Sequence, residues 1–478
     1  MTRNSSAIWF FVLSTSLLLI VGCGGNSSTT ATTPQSNPVP AVAALSPSAG
    51  TAGSPPQTLT INGTNFISTS TVTYNGTAHT ATFVSSTQLT IVLSGSDQAK
   101  VGSFPVVVSN PTPGGGASNS VSFAVQSPVI VSDEVNNRVL IYDVPFSSDQ
   151  NAQVVLGQAN LTTAVQAMTA AGMNGPTATA VDGSGNLYVC DSGNNRVLQF
   201  QPPFTNGMNA SLAIGQANLT SNASATTQKG LNSPNGLTFD NSGNLWVVDF
   251  GNNRVLEYEP PFTTNMNATV VIGQADFTSS ATATTSTGFF LPSSDAFDTS
   301  GDLWVVDSAN NRVLEFKTPL TTGMAASLVI GQPDFTSSGS ANPPTAGSLN
   351  FPLGGITFDG TGNLWIGDTS NNRILEFKPT FSTGMNASMV LGQATFITAV
   401  ATSTQSGLSS PFGVGFDTSG NLWAADGGNN RTLMYSPAFS AGQNATLVLG
   451  QPNFSAHGAA NPPTASSENQ PLGVTATF

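Results

Sequence analysis

The polar and apolar positions of this chain fall into short runs separated by tight-turn residues, and from Pro128 onward one set of runs keeps returning. In one unit "SPNGLTFD" (Ser233 to Asp240) reads as a strand entered through a proline, "NSG" as a turn, and "NLWVVD" (Asn244 to Asp249) as a second strand. "FGNN" turns again, "RVLEYE" is a third strand and "ATVVIGQ" (Ala268 to Gln274) a fourth. Four short strands per unit with tight turns predict one blade of a β-propeller. The repeat arginines Arg138, Arg196, Arg254, Arg312, Arg373 and Arg431 stand 58 residues apart, except for 61 between Arg312 and Arg373. A fixed period this long signifies a repeat architecture. Near Pro128 the first unit begins at its second strand, and "QPLGVTATF" (Gln470 to Phe478) matches a first strand with nothing after it. The two fragments complete one blade. The expectation is six blades closed by the C-terminal strand, which leaves no open radial edge.

Before the repeats the pattern differs. From 41 to 126 short alternating runs such as "TLTING", "TVTYNG", "QLTIVL" and "SVSFAV", broken by Gly, Pro and Asn, predict an antiparallel sandwich. Residues 23–40 have no apolar periodicity and are rich in Ser, Thr and Pro, which predicts a flexible tether. Residues 1–22 carry Arg3 and then the apolar run "AIWFFVLSTSLLLIVG", the pattern of an export signal. The fold class is therefore all-β: an Ig-like sandwich followed, over 127–478, by a six-bladed propeller.

Three stretches resemble known families. "IVGC" (Ile20 to Cys23) resembles the lipobox of bacterial lipoproteins, which implies lipidation of Cys23; Gly24 after it implies, by that family's sorting rules, the outer membrane of a Gram-negative envelope. "LSPSAGTAG", "LTINGTNF", "SSTQLTIVL" and "VVVSNPTPGGGASNSVSFAV" resemble the IPT/TIG immunoglobulin-like domain, whose members serve as spacers or interaction modules. "NLWVVDFGNNRVLEY" and its five counterparts resemble NHL-repeat β-propellers. NHL-like and other six-bladed propellers include metal-dependent lyases and calcium-dependent esterases, whose sites use histidines or several acidic and Asn ligands near the central channel.

Composition narrows the function. Eleven Lys+Arg against 24 Asp+Glu give a net charge of −13, and only 7% of residues are charged. Six of the eleven basic residues are the repeat arginines, so no basic patch is left for nucleic acid. Beyond Cys23 the single cysteine is Cys190, aligned with Val248 and Val306, which reads as a small buried side chain.

The repeated residues supply the candidate chemistry. Asp133, Asp191, Asp249, Asp307, Asp368 and Asp426 each precede by five residues the arginine of the same unit, with two asparagines between. The pairs Asp133–Arg138, Asp191–Arg196, Asp249–Arg254, Asp307–Arg312, Asp368–Arg373 and Asp426–Arg431 are expected to bracket a hairpin turn and lock it, because asparagine tolerates positive φ and a carboxylate accepts turn N–H groups and a guanidinium together. A ring of aspartates binding cations is the alternative, opposed by the neutralising arginines. Trp246, Trp304, Trp365 and Trp423, with Tyr188 at the same place, suit packing between blades, or a sugar-binding row. Asp182, Asp240, Asp298, Asp359 and Asp417 fit as caps of the turns after the first strands, with calcium binding the weaker reading because the spacing is not that of a calcium loop.

Catalytic signals are few. The two histidines, His79 and His457, fall in the sandwich and in a loop beyond the last complete blade. The first strands, expected to line the channel, are small and apolar, and only Asp295 in "PSSDAF" brings a charge there. The sequence thus points to a lipid-anchored envelope protein, without expected metal or cofactor, whose propeller loop face binds a protein or carbohydrate partner. The alternatives are an enzyme of the propeller lyase or esterase class and a purely structural envelope component.

Overall fold

The computed structural model describes residues 35 to 477. Cys23, the expected export signal and most of the expected tether lie outside them. Among the described residues no helix is long and apolar enough to cross a membrane.

The first domain is a two-sheet sandwich. One sheet orders Ala41–Ser46, Gln57–Thr64, Gln88–Leu93 and Thr82–Ser85, and the other runs Ala49–Thr51, Val121–Gln126, Gly102–Asn110, Thr71–Tyr74 and Thr77–His79. Alternate residues point inward along each strand. Leu59, Ile61, Leu89, Ile91, Val106, Val108 and Phe123 therefore share one core.

Six four-stranded sheets follow, blades 1 to 6 in chain order, each in simple sequential order except the first; blades 2 to 6 span 176–214, 234–272, 292–330, 356–391 and 411–449. In blade 3 the strands are Pro234–Phe239, Leu245–Asp249, Arg254–Tyr258 and Val270–Ile272. Both middle strands are buried at every position because blades pack face to face. Alternation sorts their side chains: Leu245 and Val247 pack on Tyr188 and Cys190 of blade 2, while Trp246 and Val248 pack on Leu303 and Val305 of blade 4. This accounts for the near-continuous apolar runs, since both faces of a blade are core.

Blade 1 closes the ring. Val129–Asp133, Arg138–Tyr142 and Val154–Leu156 form its outer three strands, and the C-terminal Pro471–Thr475 is its innermost, antiparallel to Val129–Asp133 with Val131 opposite Val474. Innermost strands converge on the axis, where little room remains. A Cβ on Gly413 would lie 2.7 Å from the Leu472 carbonyl oxygen, and one on Gly473 would lie 2.6 Å from that of Thr177. The small residues of these strands follow from that approach of backbone to backbone.

The sandwich meets the propeller at the ends of blades 1 and 2 opposite the Asp–Arg hairpins. There the Val144 amide donates to Thr51 Oγ1 (3.2 Å) and the Phe204 amide to the Gly53 carbonyl (3.1 Å). The hairpin face is left uncovered by it.

Candidate functional site

Each repeat aspartate accepts a hydrogen bond from Nε of its arginine, at 2.6 Å in Asp133–Arg138 and 2.7 Å in Asp191–Arg196, Asp249–Arg254, Asp307–Arg312, Asp368–Arg373 and Asp426–Arg431, with all twelve side chains buried. The two residues are directly opposed at the end of an antiparallel pair. The turn between them is a single 3-10 turn, Phe250–Asn252 in blade 3, ended by Asn253 in the left-handed region at φ 53°. The first asparagine, Asn252, donates to Asp249 Oδ2 (2.8 Å), and the second takes the conformation that closes the turn.

The arginine reaches well beyond the turn. Arg254 Nη2 donates to the carbonyls of Thr227 and Gly230, each at 2.9 Å, in the connection entering the blade, and Nη1 donates to that of Phe277 at 2.5 Å in the connection leaving it. Asp249 Oδ1 accepts the Asn232 amide (2.7 Å) from the entering connection. One buried ion pair therefore holds a hairpin and two interblade connections together. Burial pushes these carboxyls up, to about 6 for Asp307 and Asp426, while the arginine and the other donors pull them back down.

A second set of residues completes this framework. Gln274, in the "GQ" ending the fourth strand, donates to the Asn253 carbonyl (2.8 Å) and to that of Ala281 (2.9 Å). Gln158, Gln216, Gln332, Gln393 and Gln451 do the same in their blades. Their signal in the sequence was repetition alone. The Ser/Thr/Ala-rich connections are thus pinned at several points, so their composition does not make them loose.

At the opposite face Asp240 caps its turn, Oδ1 accepting the amides of Ser242 (2.8 Å) and Asn244 (2.9 Å), and Oδ2 also accepts Trp246 Nε1 (3.2 Å). Asp298, Asp359 and Asp417 hold Trp304, Trp365 and Trp423 likewise. The rings are buried and meet phenylalanines of the next blade edge-on, Trp304 lying 4.9 Å from Phe381 and Trp365 5.0 Å from Phe439. They present no aromatic row to solvent.

Asp298, Asp302 and Glu315 gather close enough to face a common cation. Lys317 Nζ already sits there, 2.9 Å from Asp302 and 2.6 Å from Glu315. Asp302 stands where other blades carry Asn244, Asn363 and Asn421, and the lysine balances the added charge. Cys190 is buried, its thiol pushed well up by burial, and Sγ lies 3.6 Å from the Gly236 carbonyl. His79 pairs with Asp97 (3.5 Å) in the sandwich, and His457 lies on an exposed loop.

Two environments remain open. The central channel encloses about 670 Å³ between the innermost strands of all six blades, with Asp295 in its wall and Glu134 at its rim. The hairpin face carries exposed aliphatic side chains on the pinned connections: Val165 (68% exposed), Ile397 (64%) and Val400 (63%). Glu468 departs from the repeat, fully buried where other blades have Met173, Leu231, Phe289, Leu349 and Leu408. It accepts hydrogen bonds from Tyr142 Oη (3.1 Å) and Thr432 Oγ1 (2.8 Å) beside the closing strand, and burial pushes its carboxyl up to about 8.

The IPT/TIG domain model matches residues 40–125, and the NHL repeat model matches residues 173–200 and 231–258. The chain carries an IPT/TIG domain followed by NHL repeats. No curated protein sequence matches it. Similar solved structures include an auxiliary nutrient binding protein from Bacteroides thetaiotaomicron, 13% identical over 81% of this chain and 95% of that one, with a TM-score of 0.38. Virginiamycin B lyase from Staphylococcus aureus is 15% identical over 65% of this chain and 80% of that one, with a TM-score of 0.35. The TIG domain of human nuclear factor of activated T-cells, cytoplasmic 4, is 24% identical over 18% of this chain and 87% of its own, with a TM-score of 0.15.

Proposed function

We propose that this protein is an extracytoplasmic binding protein, anchored by lipid on Cys23 to the outer membrane, whose propeller offers its hairpin face to a protein partner. In this reading residues 1–22 are removed, residues 23–40 tether the chain, and the sandwich holds the propeller from the opposite end. The observation that carries it is the placement of exposed apolar groups. Among the described residues, Val135, Val165, Met168, Phe290, Ile397 and Val400 are all the large exposed hydrophobic residues of the propeller, and all six lie on the hairpin face. Rigid loops carrying apolar side chains are what protein recognition uses. A carbohydrate partner fits less well, because the tryptophans that stack on sugars are buried here.

The test uses the full chain in a bacterial envelope with chemical crosslinking. Val165→Asp with Ile397→Asp is expected to abolish partner capture and leave the melting temperature unchanged. Capture that survives these changes but disappears when the sandwich is deleted assigns recognition to the sandwich instead. Anchoring is tested separately: Cys23→Ser is expected to release the protein from membranes, since acyl chains supply about 0.8 kcal/mol per buried methylene. Intact-mass measurement of the native protein with an unmodified Cys23 refutes the anchor.

A further inference from the structure

The geometry points to the propeller channel as a binding site for a small organic cation, a protonated amine, with Asp295 as its counter-ion. Asp295 belongs to the innermost strand of blade 4, Pro292–Phe297, at the place held by Thr179, Leu237, Ile356, Val414 and Val474 in the other blades. Twelve carboxylates are buried among the described residues, and Asp295 is the one whose two oxygens both lack a hydrogen-bond partner. The other eleven have arginine, lysine, amide or hydroxyl donors. A carboxyl at an otherwise mostly apolar place, with no donor from any other residue, lacks a structural reason, and a buried polar group without a partner is costly. The missing partner is expected from outside the chain.

The surroundings define that partner. No lysine or arginine lines the channel, so a cation meets no opposing charge. With Asp295 the one carboxylate in the wall and Glu134 at the rim, the channel lacks the cluster of carboxylates with which calcium sites balance the ion's charge. A volume of about 670 Å³ suits a small organic molecule rather than a bare ion. Phe239, Phe358 and Phe416, partly exposed at the ends of their innermost strands, add aromatic surface to the lining, which takes an apolar body and attracts a cation. Burial pushes the Asp295 carboxyl well above its ordinary range, which favours its neutral form until a cation is beside it. Binding then requires the side chain to ionise against the ammonium group, releasing its proton to solvent.

The full chain in detergent, titrated calorimetrically with 2-phenylethylamine, tests this site, with neutral 2-phenylethanol and potassium chloride as controls. The amine is expected to bind and to raise the melting temperature. The alcohol is expected to bind at least about tenfold more weakly, as loss of one charge-assisted bond implies. Asp295→Asn and Asp295→Leu are expected to weaken amine binding by a similar factor; the leucine variant should fold, because Leu237 occupies the same place in blade 3. Equal binding of amine and alcohol overturns the proposal, as does equal binding by wild type and either variant. A response to potassium alone overturns it too, as does the failure of 2-phenylethylamine, cyclohexylamine and 1,4-diaminobutane all to bind the wild type. Val165→Asp with Ile397→Asp is expected to leave amine binding intact, which separates this site from recognition on the hairpin face.

Discussion

Replacing Arg254 with alanine removes one side chain and unfastens three segments. Asp249 stays behind as a buried carboxylate that has lost its 2.7 Å guanidinium partner, and the carbonyls of Thr227, Gly230 and Phe277 lose their charged donor. Breaking a buried ion pair by deleting one partner costs about 3–5 kcal/mol. Each carbonyl left dry adds about 1–3 kcal/mol, but water entering the vacated space offsets much of that. The expected loss is about 4–6 kcal/mol, comparable to the whole stability of many domains, roughly 5–15 kcal/mol. Urea unfolding of the full chain measures it as a fall in midpoint at constant slope. Arg254→Lys should recover only part of the loss, because a point charge cannot replace a planar fork that serves four acceptors. In a double-mutant cycle with Asp249→Asn, the two changes should couple by at least about 2 kcal/mol. A loss below about 1 kcal/mol, the value of an exposed pair, refutes the reasoning. So does an absence of coupling.

Three further outcomes follow from other parts of the ring. Deleting the chain from Asn469 onward removes the innermost strand of blade 1 and uncovers Val131 and its neighbours, so the propeller should lose cooperativity in calorimetry; an unchanged melting temperature contradicts closure. Glu468, with its carboxyl raised to about 8, keeps a proton in the folded state that the unfolded chain releases near 4.5, so its contribution is fully present at low pH and is lost as pH rises through that window, by up to about 1.4 kcal/mol per pH unit. Glu468→Gln should flatten the stability profile between roughly pH 5 and 8, and parallel profiles sink the idea. Asp240→Ala removes the acceptor of Trp246 Nε1 and of two turn amides, which should cost about 2 kcal/mol and shift tryptophan emission; an unchanged spectrum and midpoint speak against that contact.

The blade was legible in the chain alone. Period-2 runs broken by Asn and Gly set the strands, the interval between repeat arginines set the repeat, and the match of Gln470–Phe478 to a first strand implied where the ring closes. The sequence also carried the local logic of the hairpin, since Asp249 and Arg254 flank a four-residue turn and must begin near each other. Tertiary structure decided what each side chain then meets. Arg254 finds carbonyls in connections before and after its blade, Trp246 finds an aspartate across a turn, and Lys317 fills the acidic cluster that Asp302 creates. It also separated Asp295 from the other buried carboxylates and paired Glu468 with Tyr142 and Thr432, positions far apart in the chain. The reason is physical. Strand and turn preferences are set by neighbours along the chain, whereas the partner of a buried charge is set by which segments the closed ring brings within hydrogen-bond distance, and donors count there only once water is excluded.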